Sequence, residues 1–550
     1  MEEIKLCGLK TKKKSCSNST KNMAPVGQRL RRSTSVTSQR VQLNLLGEHL
    51  VHKVFVTCGK ITSKRCSTLY QDPVMTPRYW MTCSLKGLHH RKWLHEAIAS
   101  LKSGKSPGPD NLVFEHFKHA DHTVIVLLSI LFNSCLVHGF LPAGLMDTVI
   151  VPIVKNPKGD VTCKDNYRPI ALTSVLSKIL EKLILKRCST FLDSTDNQFG
   201  FKPNSSTDLC VFTLKQVIDY YKCNGSPVYM CFLDASKAFD RVQHDLLFSK
   251  LIDRNVPQLI VRLLMYWYSS QTFVIRWGHH YSDCFMVSNG VRQGSVLSPT
   301  LFNVYIDILS LKLSQSCIGC TFNSQCYNHL VYADDTVLLA PSPTALQKLI
   351  NICTDFAYCH GLVYNEEKTK YMVIKPAAIK NLHIPSVSLN NSAIKLVSRE
   401  KYLGFIIKDD CCDNDHIMQE MRNTFTRGSM LIRNFKHCSD DVKVKLYRAY
   451  CSSIYCCGLI CVYHKTVIKK LHVAFNKIFK CFMNVHPRSS ASSLFVSLNV
   501  ANFLVLRRKL VFSFLRRVSL SCNSLIVGIF NSNHFLTCQL KKKWDSILYK

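Results

Sequence analysis

Three aspartates in this chain are well placed for chemistry, because apolar segments hold each of them in position. Asp334 and Asp335 stand side by side in NHLVYADDTVLLA, Asn328 to Ala340, between the apolar runs 329–332 and 336–340. Short runs of Val, Leu and Tyr broken by Ala and two Asp predict strand, tight turn, strand, with both carboxylates at the hairpin tip. Burying strands beside an Asp-Asp pair is costly unless cations balance the charge. A lone acidic pair of this kind is most often a solvated turn. Asp234 changes the reading. It ends VYMCFLD, residues 228–234, apolar at odd and even positions alike, which predicts a central strand buried on both faces.

One Asp at the end of a buried strand and two on a hairpin make a carboxylate cluster. Such a cluster suits transfer of a nucleotide to a 3′-hydroxyl, which uses two Mg²⁺ ions roughly 3.5–4 Å apart. Mg²⁺ binds through one or two protein carboxylates, with phosphate oxygens and water completing its shell. Asp234 and Asp334 would bridge both ions, the backbone carbonyl of Ala235 would complete the second, and Mn²⁺ could substitute.

The elements that must position these groups follow from periodicity and punctuation. A helix is predicted over 92–101, then a loop in SGKSPGPDN, 103–111, forced by two prolines and two glycines. The next helix, 124–138, stops at Gly139. Residues 146–154 read as a strand, followed by a basic loop with Lys155 and Lys158. NYRPI, 166–170, leads into a helical stretch with Leu176, Ile179, Leu180 and Leu183 on one side. Arg168 precedes Pro169, so its backbone is extended and its side chain can project. A basic loop and an Arg at a strand–helix junction are natural triphosphate clamps, and equally natural solvated charges.

Residues 236–253 read as one helix with Phe239, Val242, Leu246, Leu247 and Leu251 inward. In Arg292-Gln293-Gly294-Ser295 the glycine permits close backbone approach by a ligand. Ser298 and Pro299 mark a helix start, hydroxyl cap then proline. Residues 361–370 read as a loop of mixed charge and 401–407 as a strand. Amphipathic helices dominate from 418 to about 518.

The 550-residue chain carries a formal net charge of +35, which points to a polyanionic partner, nucleic acid before a membrane surface. With 47% hydrophobic residues it is no disordered polyelectrolyte. The 27 cysteines are scattered through apolar runs, and residues 1–40 show no secretion signal. Reduced thiols in nucleus or cytoplasm are therefore expected. The apolar span 124–137 is shorter than the roughly 20 residues a transmembrane helix needs, so no membrane segment is expected.

FLDASKAFD, NGVRQGSVLSPTLFNVYID and VYADD, in that order, resemble the core motifs of reverse transcriptases. SGKSPGPDN, VPIVKNPKGD with NYRPIALTSVLSKILEKLI, NQFGFKPNSSTD and KYLG resemble more narrowly the non-LTR, LINE-type retrotransposon enzymes. The likeness spans about residues 90–515, and SPGPDN and KYLG separate it from enzymes of the group II intron type. It departs at Asn111, where a glycine is usual, and at Pro203-Asn204.

The resemblance implies an α+β right-hand polymerase with fingers, an antiparallel-sheet palm and a helical thumb. It implies an RNA template, a DNA or RNA primer and dNTPs as partners. Asp234 and Asp334 match the metal-binding aspartates and Asp335 the auxiliary one. Phe239 matches the aromatic gate that excludes a ribose 2′-hydroxyl, against simple core packing. Gln293 and Gly294 match the loop gripping template and incoming nucleotide, and Arg168 and Lys155 the fingers residues on the triphosphate. Lys368 matches a lysine proposed to protonate pyrophosphate, against a plain surface lysine, and a structural role is expected of Asp240. The expected division is a basic leader over 1–85, a helical lead-in over 86–133, fingers and palm over 134–410, thumb helices over 411–520 and a tail over 521–550.

About ninety residues ahead of the polymerase motifs are too few for the endonuclease usual in such elements, so the polymerase part alone is expected. The alternative is a silent remnant that only binds nucleic acid. Cys317, Cys320, Cys326 and His329 have near-zinc spacing. They fall on the arm feeding the Asp-Asp turn, where alternate residues face opposite ways, so buried thiols are the better expectation.

Overall fold

The computed structural model describes residues 91–549 apart from 377 and 380–382; the leader expected over 1–85 lies outside them. The fold is α+β, and at its centre lies a five-stranded sheet. Strand β3 (Val228–Asp234) sits between β6 (Asp335–Ala340) and β7 (Lys370–Ile374), with β5 (His329–Tyr332) beyond β6. The pairings β7–β3–β6–β5 are all antiparallel.

Every β3 side chain from Val228 to Leu233 is buried, as apolarity at odd and even positions requires. Val228, Met230 and Phe232 join a core with Leu209 and Phe212 of the helix α4 (Thr207–Cys223). Cys231, pointing the other way, lies near Cys353 of the helix α7 (Pro343–Cys359), and burial pushes both thiols up. Helices thus cover both faces, and Asp234 is the first partly exposed residue of the strand.

A second sheet lies upstream. It pairs β1 (Thr148–Val154) with β2 (Tyr167–Thr173) antiparallel and with β4 (Thr272–Trp277) in parallel. The sequence predicts no strand at β2, where NYRPI reads as a lead-in to the helix, and a proline inside a strand is uncommon. In the structure Pro152 and Pro169 face each other in one rung, so their missing donors coincide, and the parallel pairing to β4 ends at Ile150. Arg168 is therefore a strand residue, paired with Ile153, and not a residue of a strand–helix junction. The helix α3 (Val175–Arg187) follows, capped by Ser174, whose hydroxyl accepts from the Ser177 amide at 3.0 Å.

The helix α1 (Arg91–Ala99) packs against α2 (His122–His138), which ends at Gly139 with a left-handed φ of 62°. Among the described residues no single helix is long and apolar enough to cross a membrane.

Three further expectations are corrected. The single helix over 236–253 is a 3₁₀ turn, Ala238–Arg241, entered through a left-handed Lys237 at φ 51°, then α5 (His244–Asp253), the two separated by the extended backbone of Val242 and Gln243. The strand over 401–407 is a hairpin of β8 (Arg399–Tyr402) and β9 (Phe405–Lys408), turning at Leu403 and Gly404 with φ of 46° and 85°. In the helix α6 (Ser298–Gln315) Leu297 holds the cap position without a side-chain hydrogen bond, and Pro299 lies in the first turn.

A second core cluster joins α8 (Asn414–Phe435) to α9 (Lys465–Phe482), where Gly428 lies against Ile478 with no room for a Cβ. The chain then returns to the central sheet. Phe514 of α10 (Phe503–Ser519), Ile526 of α11 (Ser524–Phe530), Phe535 of α12 (Asn533–Thr537) and Trp544 of α13 (Gln539–Leu548) enter the same core as β3. Trp544 stacks on Phe212 with ring centroids 6.2 Å apart and donates from Nε1 to the Gly458 carbonyl at 2.7 Å. Residues 521–549, read from the sequence as a tail, thus carry helices that complete the sheet's packing.

Candidate active site

The β5–β6 hairpin turns through Ala333 and Asp334, with Ala333 at φ 59°. The turn is shorter than expected: Asp335 already opens β6, opposite Tyr332 on one side and Asp234 on the other. Asp234 and Asp335 thus share a rung, and Asp334 sits beside them. Asp334 is exposed at the turn, but the protein packed around its carboxyl partly desolvates it and the Asp234 charge adds to this, so its pKa is raised; a backbone hydrogen bond and Arg168 act against both. Asp335 is pushed up to about 6, by desolvation first and then by the Asp334 and Asp234 charges.

Among the described residues no three His, Cys, Asp or Glu side chains gather closely enough to form a metal-binding group by themselves. The donor set nevertheless fits a hard divalent ion. Repelling carboxylate oxygens at a cleft floor supply the one or two protein ligands Mg²⁺ takes, leaving positions for phosphate and water.

The cleft above them has a volume of about 1540 Å³. Lys155, Arg168, Asp234, Ala235, Phe239, Gln293, Gly294, Asp334 and Lys368 all line it, brought from separate segments of the chain. Asp335 does not. Arg168 is exposed on β2, and Lys155, just past β1, donates to the Asp165 carbonyl at 2.9 Å. Lys368 holds its Nζ 3.8 Å from Asp234 Oδ2. Phe239 is half-buried; its ring stacks on Phe302 at 4.6 Å and meets Phe201 edge-on at 6.0 Å. Gly294, at φ 117°, brings the loop against β2 of its own chain: a Cβ there would stand 2.7 Å from the Ala171 carbonyl oxygen. The Gln293 carbonyl accepts from the Ala171 amide at 2.6 Å.

A family model for "Reverse transcriptase (RNA-dependent DNA polymerase)" matches residues 154–407. The chain contains a reverse transcriptase domain. Over 371 residues it is 29% identical to the RNA-directed DNA polymerase from mobile element jockey of Drosophila funebris, covering 64% of this chain and 39% of that one. Over 415 residues it is 29% identical to the probable RNA-directed DNA polymerase from transposon BS of Drosophila melanogaster, covering 72% of this chain and 43% of that one. The chain thus spans about two fifths of the length of these curated relatives. An apo telomerase from Candida tropicalis aligns at 13% identity with a TM-score of 0.38, covering 78% of this chain and 72% of its own.

Several residues that shape or support the cleft were not singled out by motif reading. Lys237 and Arg241 add to its basic rim, and Trp277 of β4 to its wall. Asn197, Gln198 and Gly200 of NQFG brace the hairpin from behind. Gln198 Oε1 accepts from the Ala333 amide at 3.1 Å and Asn197 Nδ2 donates to the His329 carbonyl at 2.9 Å. Gly200 lies so close to the Ala333 amide that no Cβ fits. A lone glycine between Phe199 and Phe201 was the available signal. Asp240 accepts from Gln293 Nε2 at 3.4 Å, tying the Arg292–Ser295 loop to the turn after β3.

The zinc-like spacing in the domain resolves as packing. His329 has no free ring nitrogen: Nε2 is 2.7 Å from Ser310 Oγ and Nδ1 is 2.7 Å from Asn328 Oδ1. Cys320 is buried while Cys317 is exposed. Burial drives the His329 pKa down to about 3.

Proposed function

We propose that this chain is an RNA-directed DNA polymerase of a non-LTR retrotransposon, adding dNTPs to a DNA or RNA primer 3′-hydroxyl on an RNA template. The observation that carries the reading is the convergence of nine chemically apt side chains and backbone groups from separate segments on one cleft. Asp234 and Asp334, with the Ala235 carbonyl, would hold two Mg²⁺ ions, for which Mn²⁺ can substitute. When bound, such ions lower the pKa of the attacking hydroxyl and neutralise the triphosphate and departing pyrophosphate.

The chain's own groups do the rest by positioning. Arg168 and Lys155 bind the triphosphate from the side of the β1–β2 sheet. Gln293 and Gly294 hold the template and incoming nucleotide. Phe239, its ring backed by Phe302, excludes a 2′-hydroxyl. Lys368 gives a proton to the leaving pyrophosphate, and Asp335 acts as an auxiliary charge. Residues 134–410 serve as fingers and palm and 411–520 as thumb. The net charge of +35 suits a nucleic-acid partner and makes binding fall steeply with salt.

Primer extension on an RNA template with dNTPs and Mg²⁺, beside an Asp234→Ala control, tests the reading. Extension that disappears in the control supports it. A wild-type protein that binds RNA in a salt-sensitive way without extending the primer overturns it in favour of a silent remnant.

A further inference from the structure

Outside the cleft, Glu181 on α3 is a buried carboxylate that accepts four hydrogen bonds from one loop. Its side chain is 0% exposed, and that of Arg292, its ion-pair partner, is 3% exposed. Oε1 accepts from Arg292 Nη2 at 2.8 Å and from Ser295 Oγ at 2.7 Å. Oε2 accepts from the Val296 amide at 2.6 Å and from the Leu297 amide at 3.3 Å. The Arg292 guanidinium in turn lies over the Trp267 ring, 4.6 Å from its centroid.

We propose that Glu181 is the positioning residue that fixes the Arg292–Ser295 loop, and with it Gln293 and Gly294, to the strand carrying Arg168. The inference rests on the polymerase reading above. All four partners of Glu181 are donors, and only a carboxylate anion, which accepts and never donates, satisfies all four. Gln would turn its amide NH2 toward two of these donors, since each oxygen accepts from two, and Asp is one methylene short.

Stability alone is a poor reason for such a pair. Replacing a buried ion pair by apolar groups of similar volume is often neutral or stabilising, so this arrangement secures a geometry. The geometry is that of a single block. Helix α3 follows β2 through the Ser174 cap, the Gln293 carbonyl is tied to the Ala171 amide of β2, and Gly294 lies against the Ala171 carbonyl. Through Glu181 the triphosphate-side strand and the template-side loop keep one spacing across the cleft. Glu181 also supplies the acceptor that Leu297, at the start of α6, lacks from any side chain of its own helix. It touches neither substrate nor metal position.

The test uses the full chain, with Glu181→Gln and the double variant Glu181→Met/Arg292→Met, the second removing both charges so that neither is left buried alone. In the wild type, hydrogen exchange at the Val296 and Leu297 amides should be slow; fast exchange there overturns the inference whatever the variants do. In whichever variant unfolds cooperatively, exchange over 292–297 should rise at least tenfold while the β3 and β6 amides stay protected. The KM for the correct dNTP and the frequency of misincorporation should rise together. A loop displaced by about 1 Å predicts a loss of roughly 100-fold in kcat/KM, with salt-dependent RNA binding unchanged. A folded double variant with unchanged loop exchange, KM and misincorporation overturns the inference. A wild type without polymerase activity removes the functional reading instead, and the exchange data still decide the anchor.

Discussion

Asp234 and Asp335 occupy one rung of the β3–β6 ladder, while Asp334, the neighbour of Asp335, is the hairpin aspartate that lines the cleft. The two adjacent carboxylates are thereby given different surroundings, and this separates their expected roles.

Asp334→Ala should lower nucleotide incorporation by about 10²–10³-fold or more, as expected for loss of a main electrostatic group, while RNA binding stays within twofold. Asp335→Asn should cost less than about tenfold, because the residue lies off the cleft and only adjusts charge. Single-nucleotide incorporation beside filter binding measures both. Equal loss of incorporation and RNA binding in Asp334→Ala would make that residue structural.

Phe239→Val should relax sugar selection. The ring is held in place by Phe302 at 4.6 Å, so trimming it opens space without moving its neighbours. The ratio of kcat/KM for dNTP over rNTP should fall by about 10-fold or more, within the range pocket contacts command. Competing dNTP and rNTP on one primer reads the ratio, and an unchanged value would mean core packing alone.

His329 supplies a pH dependence. Its folded pKa, about 3, is depressed from 6.5, so the unfolded chain binds the proton first as pH falls. Stability from this group is complete above pH 6.5 and is lost at about 1.4 kcal/mol per pH unit toward pH 3. The difference in denaturant stability between wild type and His329→Asn, measured from pH 7.5 to 4.5, should narrow with that slope. A pH-independent difference would mean that the ring nitrogens are not held neutral.

Trp544→Ala should destabilise the fold by about 3–5 kcal/mol through the cavity it leaves against Phe212 and Phe514. Removing residues 521–550 should have the larger effect and yield protein that fails to unfold cooperatively. Thermal melts distinguish these outcomes from a solvated tail, whose removal would change nothing.

The sequence by itself determined the elements whose cause is local. Double-sided apolarity made β3 a buried central strand with Asp234 at its end, paired short runs made the β5–β6 hairpin, and Gly139 stopped α2. Of the ten residues named from the ordered motifs, nine line one cleft, a placement that the motifs alone do not give. What only the tertiary structure decided depends on which segments lie alongside one another. Strand β2, read from the sequence as a lead-in to α3, is defined by its pairing with β1, where Pro152 and Pro169 share a rung. The separation of Asp334 from Asp335 follows from ladder register, and a single residue's shift in a turn exchanges which group faces what. Glu181 looked like any helix glutamate in LEKLI, since the four donors that require its charge come from a loop more than a hundred residues later. Periodicity is carried by adjacent side chains; register, burial of charge and the meeting of distant loops are set only when the chain closes on itself.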